Sequence, residues 1–171
     1  MKTNRIGLDA VKAKKLAELL NVLLANYQLF YINSRGFHWN IKGEKFFELH
    51  VKFEELYTDT QLKIDEIAER ILTLGHTPNH TFTDFLKLSK IKEQKNITDG
   101  VKAVSTSLTK IVFSEISNSF SSITAYAAPP SNAFLANALP LKLSPFNAKK
   151  ISSGFNFLVS VSTDGCCLNI I

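Results

Sequence analysis

Apolar residues recur at helical spacing through the first two thirds of the chain. From Asp9 to about residue 38 they follow the i, i+3, i+4, i+7 spacing of a helix face, at Leu16, Leu19, Leu20, Leu23, Leu24, Tyr27, Phe30 and Tyr31. A second stripe runs from about Glu44 to Leu74, at Phe46, Leu49, Phe53, Leu56, Ile64, Ile67, Ile71 and Leu74. The pattern predicts two long helices joined by a short connection, which form an antiparallel hairpin.

The residue types at the ends of these stripes agree with this prediction. Asp9 is placed to cap the first helix, and Asn40-Ile41-Lys42-Gly43 interrupts the pattern between the two. Gly75 and Pro78 follow the second stripe and are typical of a helix end. Because one hairpin leaves an apolar face uncovered, we expect further helices to pack against it.

Two further segments have a less extensive helical pattern than the first two. A short helical turn is predicted from Thr83 to Ser89, capped by Thr83, with three apolar contacts at Phe85, Leu86 and Leu88. A third long helix is predicted to begin near Thr98, because apolar residues then step by four and three positions, at Ile97, Val101, Val104, Leu108 and Ile111.

The last third of the chain has a different character. From Ile116 to Ile171 the charged residues are Lys142, Lys149, Lys150 and Asp164, and prolines recur at 129, 130, 140 and 145. Residues 155–162 resemble a strand more than a helix. The predicted fold class is therefore an all-α bundle whose fourth amphipathic helix is not identifiable, with a helical region at 1–108 and an atypical tail at 109–171.

Composition and charge leave several functions open. The chain has 171 residues, 45% of them hydrophobic, and a net charge of +5, which suits one ordinary globular domain. No membrane span or signal peptide is recognisable, and the adjacent Cys166 and Cys167 suggest no disulfide framework, so we expect a cytoplasmic protein. The N-terminal cations could contact nucleic-acid phosphates or be a solvated helix start: Lys2, Arg5, Lys12, Lys14 and Lys15.

A stripe of imidazole and carboxylate groups lies along the second helix, at His50, Glu54, Asp65 and Glu69, with His38 shortly before it. These groups suit iron, zinc or manganese. Glu54 and Asp65 are 11 residues apart, roughly 16 Å along a helix axis, whereas metal bonds are about 2.0–2.5 Å long. The stripe therefore contains two half-sites, and a second copy of the chain must complete any centre that uses all five residues.

Other interpretations of these residues are available. Carboxylates on a long helix are often solvated surface charges, and a histidine beside an aromatic residue, such as His38 beside Trp39, is often structural. His76 and His80 lie in a Pro-containing loop and are expected to be solvated. No Glu stands three residues before a His, so the Glu-x-x-His signature of a single-chain di-iron bundle is absent.

The stretch HWNIKGEKFFELHVKFEELYTDTQLKIDEIAERILTLG, residues 38–75, resembles the Dps family of miniferritins. The motifs H-W-N, L-H-x-x-F-E-E and D-E-I-A-E-R-I carry the resemblance, which extends over about residues 8 to 108. It implies a ferritin-like four-helix subunit, a homododecameric shell, oxidation of Fe(II) with hydrogen peroxide, storage of ferric mineral, and in many members non-specific DNA binding close to the nucleoid.

The resemblance also implies residue roles. Ferroxidase centres of this family lie between two subunits, so one subunit would supply His38 and His50, and its two-fold mate Asp65 and Glu69 together with Glu54, whose share varies within the family. Trp39 corresponds to a tryptophan beside the centre that intercepts oxidising radicals. Acidic residues of the second helix that would nucleate mineral correspond to Glu55, Asp59 and Glu66.

From about Thr109 the chain departs from the family pattern, which continues with an acidic loop and a fourth amphipathic helix. This departure leaves the five candidate ligands intact but puts the fourth helix and the shell in question. Three functions therefore remain: an iron-oxidising and iron-storing protein that protects DNA, a DNA-coating protein with secondary iron chemistry, and an assembly-defective variant.

Overall fold

Four helices make up the computed structural model, which describes residues 2–107. They are α1 (Ala10–Asn40), α2 (Phe46–Thr73), α3 (Phe82–Leu88) and α4 (Gly100–Ser105). The two long helices match the two predicted from the apolar stripes to within about two residues at each end. None of the helices in this part of the chain is long and apolar enough to cross a membrane.

The first helix begins directly after its N-cap residue, Asp9. The Asp9 carboxylate accepts hydrogen bonds from the backbone N–H groups of Val11 and Lys12, which have no partner inside the helix, so the predicted cap is confirmed. The helix is buried on more than one side, because α2 covers one face and α3 with its flanking loops covers another. Leu16, Leu20 and Phe30 of this helix are fully buried.

The second helix is amphipathic. Its buried residues are Leu49, Phe53, Leu56, Thr60, Ile67 and Ile71, as the stripe predicted for the apolar ones. It ends before Gly75, whose φ of 84° is the left-handed conformation that terminates many helices. α1 and α2 run antiparallel, because His38 at the end of α1 contacts His50 at the start of α2, while Asn4 before α1 bonds to the Leu74 carbonyl after α2.

Three buried or half-buried asparagines of α1 fasten the segment that follows α2. Asn21 accepts a hydrogen bond from the Asn79 N–H. Asn26 accepts from the Ser89 hydroxyl and the Lys90 N–H. Asn33 accepts from the Gln94 N–H and donates to the Lys92 carbonyl oxygen, and all five distances are 2.8–3.0 Å. These contacts satisfy backbone groups that no regular structure pairs. The loop is therefore held along the length of α1.

The short helix α3 differs from its prediction in two details. Its cap is Thr81, not Thr83, because the Thr81 hydroxyl accepts from the Asp84 N–H and donates to the Asp84 carboxylate. Phe85 is buried as expected, but Leu86 is 52% exposed and contributes little to this core. A helix of two turns has one buried face, and Phe85 occupies it.

Helix α4 begins at Gly100, two residues later than predicted, and Asp99 caps it by accepting from the Lys102 N–H. The predicted apolar stripe is wrong at Val101, which is 78% exposed, whereas Ala103 is fully buried. The reason is that Gly100 packs directly against Leu49, so that the inner face runs from Gly100 to Ala103. Leu108, Ile111, the 109–171 tail and the strand-like segment 155–162 lie outside the described residues.

Candidate metal centre

His38 and His50 meet where the two long helices join. Their rings are stacked with centroids 3.6 Å apart and planes inclined by 24°. The His38 Nδ1 lies 2.8 Å from the carbonyl oxygen of His50, and the His50 Nδ1 lies 2.9 Å from the carbonyl oxygen of His38. The structure thus brings together the two histidines that the resemblance assigned to one subunit's share of the centre.

These reciprocal hydrogen bonds place a proton on the Nδ1 atom of each ring. A carbonyl oxygen can only accept, so each Nδ1 carries its proton and donates it. In a neutral imidazole the other nitrogen, Nε2, then holds an unshared electron pair. Each ring could then bind a metal through Nε2, since a hydrogen-bonded outer partner usually orients a metal-binding histidine in this way.

Within residues 2–107, the three candidate carboxylates form no hydrogen bond or ion pair with these two histidines. Glu54, Asp65 and Glu69 are all exposed on α2. Asp65 lines a shallow groove between α1 and α2 together with Gln28, Tyr31, Gln61, Leu62 and Ile64. Within residues 2–107 of one chain, no three His, Cys, Asp or Glu side chains come close enough to hold a metal ion. The donor set nevertheless fits iron, because two imidazole Nε2 atoms and exposed carboxylate oxygens are ligands that iron accepts.

Aromatic side chains surround the histidine pair. Phe46 stacks on His50 with centroids 5.0 Å apart, and Tyr57 contacts His38 edge-on at 5.4 Å. Trp39 is 58% exposed, and the Arg35 guanidinium lies 4.8 Å from its ring centroid. Trp39 was recognisable from the sequence, but Tyr57 and Arg35 were not. Their signal was positional, since Tyr57 lies two helical turns after His50 and Arg35 lies one turn from both Tyr31 and Trp39.

Two of the three acidic residues named by resemblance as mineral-binding already have cationic partners. Lys52 pairs with Glu55 at 3.0 Å, and Lys63 donates to both oxygens of Asp59 at 2.9 Å. This supports the surface-charge alternative for Glu55 and Asp59.

Burial raises the pKa of the Tyr27 hydroxyl above its ordinary value, and the nearby charges of Asp59 and Glu66 raise it further.

The N-terminal cations lie on a folded segment. The Asn4 side chain accepts from the Ile6 and Leu8 N–H groups and donates to the Leu74 carbonyl oxygen, so residues 2–9 form a compact loop against the end of α2. Of the five predicted phosphate-contacting residues, Lys12 is half-buried and four are exposed: Lys2, Arg5, Lys14 and Lys15. They form part of a fixed surface and not of an extended arm.

Comparison with known proteins places this architecture in a family. The family described as ferritin-like domain matches residues 17–118. A DNA protection during starvation protein of Porphyromonas gingivalis is 42% identical over 108 residues, which cover 57% of this chain and 68% of the relative. A protein of Haemophilus influenzae is 53% identical over 108 residues, covering 63% of this chain and 68% of the relative. The family match includes all of α2 and the part of α1 from residue 17 onward.

Solved structures agree with the sequence relatives. The Dps protein of Vibrio cholerae, described as a member of a superfamily of ferritin-like diiron-carboxylate proteins, is 45% identical with a TM-score of 0.70, over 81% of this chain and 86% of its own. A Dps protein of Bacillus brevis is 31% identical with a TM-score of 0.63, over 80% and 86% of the two chains. The fold of the described residues is accordingly all-α and ferritin-like, consistent with a four-helix bundle. The chain belongs to the Dps family of ferritin-like proteins.

Proposed function

We propose that the protein is a ferroxidase that oxidises Fe(II) and stores the ferric product, and that each catalytic site is shared by two copies of the chain. One copy supplies His38 and His50, and the other supplies Asp65 and Glu69; the share of Glu54 between the two copies stays open. The observation that carries this proposal is the histidine pair, whose Nδ1 atoms are both engaged by carbonyl oxygens and whose Nε2 atoms remain for a metal. Iron is the substrate of this reaction.

The spacing of the ligands along α2 supports a shared site. His50 and Glu69 lie equally far from the point between Asp59 and Thr60, and so do Glu54 and Asp65. An antiparallel two-fold pairing of α2 with its own copy, centred on that point, brings the histidine half-site of one chain opposite the acidic half-site of the other. Both half-sites of each chain are then used, and the pair contains two equivalent centres.

The exposed face of α2 has the composition of an interface. Phe47, Val51, Leu62 and Leu72 are each more than half exposed, and helical spacing puts them on the same side as Glu54, Asp65 and Glu69. A row of exposed apolar side chains usually marks a contact with another protein. The acids therefore lie on the surface that a second copy would cover, which supports a homo-oligomer; a dodecamer is the expected assembly.

The ligand set suits the reaction. Imidazole nitrogen and carboxylate oxygen hold Fe(II) and leave coordination positions open for an oxidant. Two Fe(II) ions each give up one electron, and one hydrogen peroxide molecule accepts both. The carboxylates favour the harder Fe(III) product. Because both electrons reach the peroxide together, hydroxyl radicals are not released, which is how such a protein would protect DNA under stress.

This proposal is tested by mixing two defective chains. His50→Ala and Asp65→Ala are each expected to slow the formation of ferric absorbance from Fe(II) and peroxide by about tenfold or more. Chains of both kinds co-expressed at equal levels should recover about a quarter of the normal sites, because half of the pairs are mixed and each mixed pair contains one intact centre. Glu18→Ala, an exposed carboxylate on α1, is the control and should react as the unaltered protein does.

Each outcome separates one part of the proposal. If His50→Ala and Asp65→Ala oxidise Fe(II) as fast as the unaltered protein, the ferroxidase assignment is wrong. If both variants are slow and co-expressed chains recover nothing, the iron chemistry stands but the site is not divided between two chains as proposed.

A second candidate function is non-specific DNA binding, favoured by the exposed cations at one end of the molecule. Lys2 and Arg5 lie on the compact N-terminal loop, and Lys14 and Lys15 lie on the first turns of α1. Cations fixed in this way can replace the counterions of a phosphate backbone. The iron and DNA functions use different surfaces of the chain, so one does not exclude the other.

A further inference from the structure

Tyr57 contacts His38, although no metal-ligand pattern includes it. Its ring meets the His38 ring edge-on, with centroids 5.4 Å apart and planes inclined by 77°. Phe46 stacks on His50 at 5.0 Å, so that the two imidazoles lie in a row with one aromatic ring at each end. The two Nδ1 hydrogen bonds fix one edge of each imidazole, and the flanking rings restrict the tilt of both planes.

Tyr57 is in turn held by two side chains of α1. The Tyr31 ring meets it edge-on at 6.1 Å, and the Arg35 guanidinium lies 5.5 Å from its centroid. Arg35 also lies 5.4 Å from the Tyr31 ring and 4.8 Å from the Trp39 ring, and its Nη1 donates to the Tyr31 hydroxyl at 2.8 Å. One guanidinium thus contacts three aromatic rings, one of which contacts His38.

The bonding of Arg35 indicates that these ring contacts determine its position. In residues 2–107 it has no carboxylate partner, and its Nε is buried without a hydrogen-bond partner. Leaving a buried donor unsatisfied costs stability, so the contacts that hold the group must offset this. A guanidinium is planar and stacks on aromatic rings, which a lysine ammonium cannot do in the same way.

We propose that Arg35 and Tyr57 are positioning residues for the histidine pair: Arg35 fixes the ring of Tyr57, and Tyr57 fixes the ring of His38, so that the His38 Nε2 keeps the direction needed to bind a metal. This inference rests on the proposed function of His38 and His50 as ligands. In this role neither Arg35 nor Tyr57 is itself a metal ligand. Bonds from imidazole to a metal are directional, so outer residues that orient a ligand affect metal affinity by about 10- to 100-fold.

The test uses Co(II) as the probe, because its visible absorption depends on coordination geometry. Arg35→Met removes the planar cation, Tyr57→Leu removes the ring, and Tyr57→Phe keeps the ring but not the hydroxyl. We expect Arg35→Met and Tyr57→Leu to weaken Co(II) binding by about tenfold and to alter the spectrum. Tyr57→Phe should retain both the affinity and the spectrum. Lys87→Met, which removes an exposed cation on α3, is the control.

The fluorescence of Trp39 shows whether a substitution has disturbed the ring cluster. Trp39 is the single tryptophan of the chain, so its fluorescence reports whether Arg35→Met has disturbed the cluster. If that fluorescence changes while Arg35→Met and Tyr57→Leu bind Co(II) with normal affinity and spectrum, the positioning role is overturned. If Arg35→Met fails to fold, the Co(II) affinities of Tyr57→Leu and Tyr57→Phe are compared instead. Weaker binding in Tyr57→Leu alone supports the positioning role, and equal binding in both overturns it.

The His50→Ala variant distinguishes a failure of this inference from a failure of the proposed function on which it rests. Loss of Co(II) binding in His50→Ala, with normal binding in Arg35→Met and Tyr57→Leu, rejects the positioning role and leaves the metal centre standing. Normal Co(II) binding in His50→Ala rejects the metal centre itself and the positioning role with it.

Discussion

The carbonyl group of His38 shows how a helix end can orient the ring of a candidate metal ligand. His38 lies in the last turn of α1, where carbonyl oxygens lack a partner further along the helix. The N–H of Lys42, which would have bonded to it in a longer helix, donates instead to the Thr98 carbonyl oxygen. The His38 oxygen is therefore available to His50 Nδ1. The end of α1 thus contributes directly to the ring state of His50.

Asn33 offers a test of how single buried side chains hold the loop after α2. It is 3% exposed, and it accepts from the Gln94 N–H and donates to the Lys92 carbonyl oxygen. Asn33→Ala leaves both backbone groups unsatisfied and should lower the free energy of unfolding by about 1–3 kcal/mol. The measurement is thermal unfolding at matched protein concentration.

The control for this prediction is Asn40→Ala on the same helix. Asn40 is exposed, and its side chain donates to the Gly36 carbonyl oxygen one turn earlier, so its replacement should change the free energy of unfolding by less than about 0.5 kcal/mol. Equal melting temperatures for Asn33→Ala and Asn40→Ala would show that the loop is not held by Asn33.

Helix α2 has one buried face and one exposed face, and both carry apolar residues. One face carries Leu49, Phe53, Leu56, Ile67 and Ile71 into the contact with the rest of the chain. The opposite face carries the candidate acidic ligands among exposed apolar residues. A helix that is apolar on both sides, with acids interspersed on one of them, has the composition expected of an element that packs inside its own subunit and against a second one.

The register of the proposed contact between α2 and its copy in a second chain can be tested with cysteines. Thr58 is exposed and lies next to the proposed two-fold axis, whereas Thr73 is exposed and lies roughly 20 Å from it along the helix. With Cys166 and Cys167 replaced by serine, Thr58→Cys should form covalent dimers on treatment with a short thiol cross-linker, as seen in a denaturing gel. Thr73→Cys should remain monomeric. The opposite result would place the axis elsewhere on α2.

The charge of the whole molecule is unevenly distributed. The net charge is +5, and much of the excess lies in the N-terminal loop and the first turns of α1. Asn4 fastens this loop to the end of α2, so its cations keep a fixed arrangement relative to the helices. Binding of DNA by this surface would therefore involve a rigid patch, repeated on every copy in an assembly.

A salt titration tests this second function. If the patch binds phosphates, replacing its four exposed cations by glutamine should reduce the steepness with which DNA affinity falls as salt rises, by about 0.9 for each phosphate that is no longer neutralised. The four are Lys2, Arg5, Lys14 and Lys15. The measurement is a gel shift over rising salt concentration. The control removes four exposed cations elsewhere: Lys87, Lys90, Lys92 and Lys95. An equal effect of both sets would argue against the N-terminal patch.

Long periodic segments were predictable from the sequence, and short ones were predictable only in part. α1 and α2 repeat their apolar spacing over seven or more turns, so a single misplaced residue does not change the interpretation. α3 and α4 have six or seven residues each, and their inner faces depend on what they meet. Leu86 and Val101 fit an apolar pattern but are exposed, because Phe85 and Ala103 occupy the available inner positions.

The sequence by itself determined the two long helices, the cap at Asp9, the end at Gly75 and the separation of the candidate ligands into two half-sites. These follow from local rules of backbone geometry and helical rise, which need no knowledge of the rest of the chain. The tertiary structure decided the tautomer of His38 and His50, the ring cluster around Arg35 and the course of the loop along α1. Each of these depends on atoms far apart in the sequence, whose distances only the packing of one helix against another sets.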